Sequence, residues 1–123
     1  MIEKLTQQEE EAMLIVWKSG GGVIKDFLAY YPDPKPPYTT LASVIKNLER
    51  KGFVQNTRYG NVCAYRPVVD EAQYKSGFMS GFVKDYFSNS YKELVGFFAK
   101  EEKISPQELR EIIQLIENQQ KTK

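Results

Sequence analysis

The sequence contains no histidine. That removes Ser-His-Asp triads, Cys-His nucleophiles and imidazole-ligated zinc or iron, each of which needs that ring. Its one cysteine, Cys63, cannot form an intramolecular disulfide or a thiolate cluster, and in a strand-like setting it reads as a small core filler. No stretch approaches the ~18 consecutive apolar residues of a membrane-spanning helix. The opening MIEKLTQQEEE is acidic and has no apolar centre, unlike an export signal. There is no glycine-rich phosphate loop. Glu9, Glu10 and Glu11 are consecutive, so on a helix they diverge by about 100° each and cannot converge on one substrate or metal. These absences argue against an enzyme, a metal or other cofactor and membrane insertion, and they suit a cytoplasmic protein.

What is present is one domain's worth of chain, 123 residues with 41% hydrophobic and 27% charged side chains, enough to close a core. The net charge of +1 conceals a local imbalance. Between Tyr38 and Arg66, the cations Lys46, Arg50, Lys51, Arg58 and Arg66 face Glu49 alone, a local charge of +4. A basic patch in a neutral protein points to an anionic partner.

Helix punctuation is clear at the N-terminus. Thr6-Gln7-Gln8-Glu9 spells a capping box, and Gly20-Gly21-Gly22 ends the helix that follows. Val23, Ile24, Phe27, Leu28 and Tyr31 predict a second short helix ending at Pro32. A proline-rich loop to Pro37 then delivers a third helix from Tyr38 to Lys51, with Gly52 as its cap. On that helix Leu41, Val44, Ile45 and Leu48 share one stripe, while Thr39, Ser43, Lys46 and Arg50 lie opposite, flanked by Ala42 and Asn47. Strand-like runs Phe53–Tyr59 and Val62–Val68 flank a Gly60-Asn61 turn. Three helices and a hairpin are the layout of a winged helix-turn-helix, expected over residues 1–69.

The outward face of the third helix suits a major groove: Thr39, Thr40 and Ser43 are short and polar, and Lys46, Asn47 and Arg50 reach farther. Arg58, Tyr59 and Asn61 cluster at the hairpin turn, where a wing tip meets the DNA backbone or minor groove. A solvated amphipathic helix and an ordinary polar hairpin account for each feature separately; helix and wing together favour nucleic acid.

Residues 70–123 predict a second, helical region. Asp70 and Gln73 suggest another capping box, and Tyr74, Phe78, Phe82 and Tyr86 recur at four-residue steps. Ser88-Asn89-Ser90 interrupts this helix before Leu94, Val95, Phe97 and Phe98 resume the apolar pattern. Ser105-Pro106-Gln107-Glu108 starts a last helix carrying Leu109, Ile112, Ile113 and Ile116, which is expected to fray from Asn118. These stripes fit an intramolecular core, a dimer interface or an apolar ligand pocket. Some 50 residues of helix offer too little surface to bury so many apolar side chains, which favours a homodimer.

The run Leu5-Thr6 to Trp17, the segment Tyr38-Thr39-Thr40 through Leu48-Glu49-Arg50-Lys51-Gly52-Phe53-Val54, the wing ending in Tyr65, and the tail Leu94-Val95 to Ser105 and Leu109 resemble the BlaI/MecI/CopY family of penicillinase repressors. The resemblance spans nearly the whole chain. It implies a homodimeric repressor that binds inverted-repeat operator DNA through its third helix and wing. It also implies relief of repression by proteolysis of the C-terminal domain, in a pathway started by a membrane-bound sensor. The family's cleaved Asn-Phe pair is matched here by Phe97-Phe98, the C-terminal cysteine motif of its copper-responsive branch is missing, and Thr39 stands where a lysine is frequent. Two other functions fit the same pattern: a ligand-responsive regulator of the PadR type, and a winged helix that binds protein without DNA.

Overall fold

The computed structural model describes residues 4–121. Its elements run α1 (Gln7–Ser19), α2 (Ile24–Leu28), α3 (Tyr38–Arg50), β1 (Val54–Tyr59), β2 (Val62–Pro67), α4 (Glu71–Tyr86), α5 (Tyr91–Lys100) and α6 (Pro106–Lys121). They divide into two compact units, residues 1–77 and 78–123.

The first unit is a winged helix. The capping box forms as the sequence predicts: the Thr6 hydroxyl accepts from the Glu9 N–H at 3.2 Å, and Glu9 Oε1 accepts from the Thr6 N–H at 3.0 Å. Gly20, at φ 82°, ends α1 in the left-handed region. Helix α2 is only five residues long and stops short of Tyr31, because the chain turns at Ala29–Tyr31 through i→i+3 bonds to Asp26, Phe27 and Leu28. Beneath α3, the side chains of Met13, Val16, Phe27, Ile45, Leu48 and Phe53 are buried almost completely, each worth roughly 1.5–3 kcal/mol relative to exposure.

After α3, Gly52 at φ 84° reverses the chain, and the Phe53 N–H donates to the Leu48 carbonyl at 2.9 Å. The hairpin therefore leaves directly from the end of the helix. β1 and β2 pair antiparallel from Val54↔Pro67 to Tyr59↔Val62, with Gly60-Asn61 as the turn. A third segment joins them at Gly22↔Tyr65 through two reciprocal backbone bonds of 2.8 Å. The α1–α2 connection thus becomes a single-residue strand beside the wing.

The first turns of α4 belong to this unit. Trp17 Nε1–H donates to the Val69 carbonyl at 2.8 Å, and the Tyr74 hydroxyl donates to Glu10 Oε2 at 2.7 Å. The Tyr74 ring lies 5.5 Å from Trp17 and 5.8 Å from Phe53. No Asp70–Gln73 capping box forms; Asp70 contributes its carbonyl, which accepts from the Tyr74 N–H at 3.0 Å.

In the second unit, Ser88 and Asn89 take positive φ angles of 50° and 61° and break the helix as expected. Ser90 then caps α5 by accepting from the Glu93 N–H. Ser105 and Glu108 close the last capping box at 2.9 and 3.1 Å. The helix α6 continues to Lys121 rather than fraying from Asn118; Thr122 and Lys123 lie outside the described residues. Phe78, Tyr86, Tyr91, Phe97, Ile113, Leu115 and Ile116 are all exposed on this unit.

Candidate nucleic-acid interface

Helix α3 presents two unlike faces. Leu41, Val44, Ile45 and Leu48 are buried, which fixes the rotation of the helix about its axis. Thr39, Thr40, Ser43, Lys46 and Arg50 are therefore held in solvent, with Asn47 half-buried at the margin. Pro37 occupies the N-cap and provides no side-chain hydrogen bond, so the first N–H groups of α3 are uncapped. Tyr38 heads the helix, 55% exposed; its place at the helix start was the sequence signal that could have added it to the candidate face.

In the wing, Arg58, Tyr59 and Asn61 are all exposed, with Tyr59 the most open of them at 68%. Arg58 Nε–H donates to the Gly60 carbonyl at 3.0 Å, so the guanidinium folds back over the turn and is carried at the tip. Val62, paired with Tyr59 across the hairpin, is also exposed. Arg66 bonds Gln55 Oε1 across the ladder at 2.5 Å.

One cation of the basic stretch does not belong to this surface. Lys51 reaches α1, where its ammonium bonds Glu9 Oε1 at 2.6 Å and the Lys4 carbonyl at 3.2 Å. Glu9 is buried. Burial pushes its carboxyl up, yet the Lys51 ammonium and the bonds to Thr6 outweigh that and hold it below its ordinary value. Lys51 is thus neutralised by a partner 42 positions away, which sequence spacing does not reveal. Within the basic stretch, Lys46, Arg50, Arg58 and Arg66 have no acidic partner among the described residues.

The expected dimer residues fall into three groups. Phe78, Tyr86, Ile112, Ile113 and Ile116 are exposed, whereas Phe82, Leu94 and Leu109 are half-buried. Tyr74 is engaged in its own first unit through Trp17, Phe53 and Glu10. Met79, Tyr91, Val95 and Leu115 add further exposed apolar surface. Phe97 and Phe98 lie within α5, 49% and 39% exposed, with their rings edge-to-face at 5.4 Å. Among the described residues there is no cluster of three or more potential metal ligands and no helix long and apolar enough to cross a membrane.

Three helices, a bridging strand residue and an antiparallel wing, with a polar and cationic face on the third helix, define a winged-helix DNA-binding protein. Residues 5–118 match the penicillinase repressor family, and the chain belongs to it: a repressor of winged-helix fold. It is 26% identical to the penicillinase repressor of Bacillus licheniformis over 127 residues, covering 99% of this chain and 96% of that protein. It is 24% identical to the methicillin resistance regulatory protein MecI of Staphylococcus aureus over 113 residues, 89% of each. Among solved structures, the DNA-binding domain of the repressor BlaI superposes with a TM-score of 0.52 at 23% identity, over 60% of this chain and 92% of that one. Bacillus licheniformis BlaI in monomeric form, in complex with the blaP half-operator, gives 0.50 at 23% identity over the same shares.

Proposed function

We propose that this protein is a cytoplasmic, homodimeric transcriptional repressor that occupies an inverted-repeat operator, each subunit reading one half-site with α3 and holding the backbone with its wing. The observation that carries the reading is the division of α3 into a buried stripe and a solvent face of Thr39, Thr40, Ser43, Lys46 and Arg50. Asn47 at the margin and Arg58, Tyr59 and Asn61 on the adjoining wing extend it. Short hydroxyl side chains let a helix approach base edges closely, while Lys46 reaches a guanine edge or a phosphate. The uncapped start of α3 suits a phosphate oxygen. The engagement of a blaP half-operator by monomeric BlaI supports one subunit per half-site. The exposed apolar side chains of the second unit support a partner of the same chain there.

Relief of repression by proteolysis of the second unit, in a pathway started by a membrane-bound sensor, belongs to the same reading. The Phe97–Phe98 peptide lies inside α5, so a protease gains an extended substrate only after local unwinding of that helix.

The reading is tested with duplexes selected by the protein from a random pool; a palindromic consensus is the expected product. On the selected duplex Lys46→Ala costs about 1–3 kcal/mol and much less on scrambled DNA, as expected of a base contact. Arg58→Ala weakens both by similar factors, as expected of a contact that positions without specifying. Failure to enrich any duplex would favour a protein-binding winged helix, and indifference of both variants would displace the interface from α3 and the wing.

A further inference from the structure

On the first unit, α1 and the segment that follows α2 border an open cleft of about 600 Å³, lined by Glu11, Leu14 and Ile15 of the helix and by Tyr30, Tyr31 and three prolines of the 32–36 loop. The size lies within the range of small-molecule sites. Its lining is apolar and aromatic except for one charged group, the Glu11 carboxylate. That carboxylate has no cationic partner among the described residues and accepts only a long bond from Gln7 Nε2 at 3.4 Å. The nearby cation Lys35 is occupied elsewhere, donating to the Leu28 and Tyr31 carbonyls at 3.0 and 2.6 Å. These bonds clamp the loop over the end of α2, and its prolines have restricted φ, so the wall is formed before any ligand arrives.

We propose that this cleft binds an organic cation with a bulky apolar body, the cationic centre set between the Glu11 carboxylate and the faces of Tyr30 and Tyr31. Phenol faces attract cations through the ring quadrupole, most strongly where the cation is poorly hydrated, as in alkylated ammonium groups. A neutral solute gains only the apolar walls, and an anion meets Glu11. Tyr31 is a neutral phenol at physiological pH, and burial and the neighbouring Glu11 push its pKa further up, so Glu11 is the one negative charge in the lining. The last lining proline, Pro36, is followed by Pro37, the N-cap of α3. Occupancy of the cleft therefore acts on the entry of the recognition helix, a coupling that rests on the DNA-binding reading; the binding of the cation does not.

The probe is benzyltrimethylammonium, titrated calorimetrically into the full-length protein at constant ionic strength, with neopentylbenzene as the uncharged isostere. Saturable binding is expected, weakened roughly tenfold by Glu11→Gln and several-fold by Tyr30→Leu, with the isostere bound much more weakly. Glu11 and Tyr30 are exposed, so both variants are expected to melt as the parent does, which separates lost binding from lost folding. No binding up to about 20 mM, equal binding of the isostere, or indifference to both substitutions overturns the proposal. In the second arm, saturating cation changes the affinity for the selected duplex at least about threefold in the parent and not in Glu11→Gln. An unchanged affinity overturns the coupling. Absence of DNA binding altogether overturns the operator reading instead, while the calorimetric result stands.

Discussion

Two acidic side chains of α1 that look alike in the sequence do different work. Glu9 is buried and joins Thr6 to Lys51; Glu10, half-buried, accepts from the Tyr74 hydroxyl. Glu9→Gln is expected to cost on the order of 1–3 kcal/mol in urea unfolding at pH 7. Because the folded-state pKa of Glu9 lies below its ordinary value near 4.5, its contribution is fully present above that value. It is lost as pH falls through the lowered one, so the gap between parent and Glu9→Gln narrows in acid. Tyr74 has the opposite sign: burial and the Glu10 bond push its pKa up to about 12. Its neutral hydroxyl therefore stabilises the fold below pH 10 and ceases to do so as pH rises through 12. Tyr74→Phe should abolish that alkaline loss, read from unfolding midpoints between pH 8 and 12.

At the scale of elements, the triple glycine after α1 does more than stop a helix. Gly21 sits at φ 119°, and a Cβ there would stand 2.7 Å from the Tyr65 carbonyl oxygen, too close for any side chain. The tight approach lets neighbouring Gly22 exchange both backbone bonds with Tyr65 and bind the α1–α2 connection to β2. Gly21→Ala is expected to destabilise the first unit by about 1–3 kcal/mol, through backbone strain and a weakened bridge. Thermal melting checks this, and a neutral result would mean that the bridge is dispensable. Gly60→Ala meets no neighbouring atom, so only its φ of 62° opposes it, and a smaller loss follows.

For the whole molecule, the two compact units predict separable behaviour. Sedimentation at micromolar concentration should show a dimer; a persistent monomer would remove the symmetric-operator scheme. A chain ending at Gly77 retains Trp17–Val69 and Tyr74–Glu10 and should fold as a monomer that binds the operator much more weakly, because two half-sites are no longer tethered. An end at Val69 would discard Tyr74 and its packing on Trp17 and Phe53. With Lys51 paired to Glu9, Lys46, Arg50, Arg58 and Arg66 are left to meet phosphates. Some three or four contacts per subunit put the slope of log K against log salt near −5 to −7 for a dimer. A shallow slope would move protein binding ahead of DNA binding.

Order, type and much of the punctuation of the elements were legible in the sequence, because they depend on local chemistry. Thr6 with Glu9 and Ser105 with Glu108 satisfy helix N–H groups within four residues, and Gly60-Asn61 turns a hairpin without distant help. The outward face of α3 was legible for the same reason: a helical period assigns Leu41, Val44, Ile45 and Leu48 to one side wherever the core lies. What lay beyond local pattern needed the tertiary structure. The short end of α2, the Gly22↔Tyr65 bridge and the attachment of Tyr74 to the winged helix depend on surfaces brought together by the packed core. So does the removal of Lys51 from the basic patch, since a charge is free or paired according to what the fold sets within about 4 Å of it, and sequence separation carries no such distance.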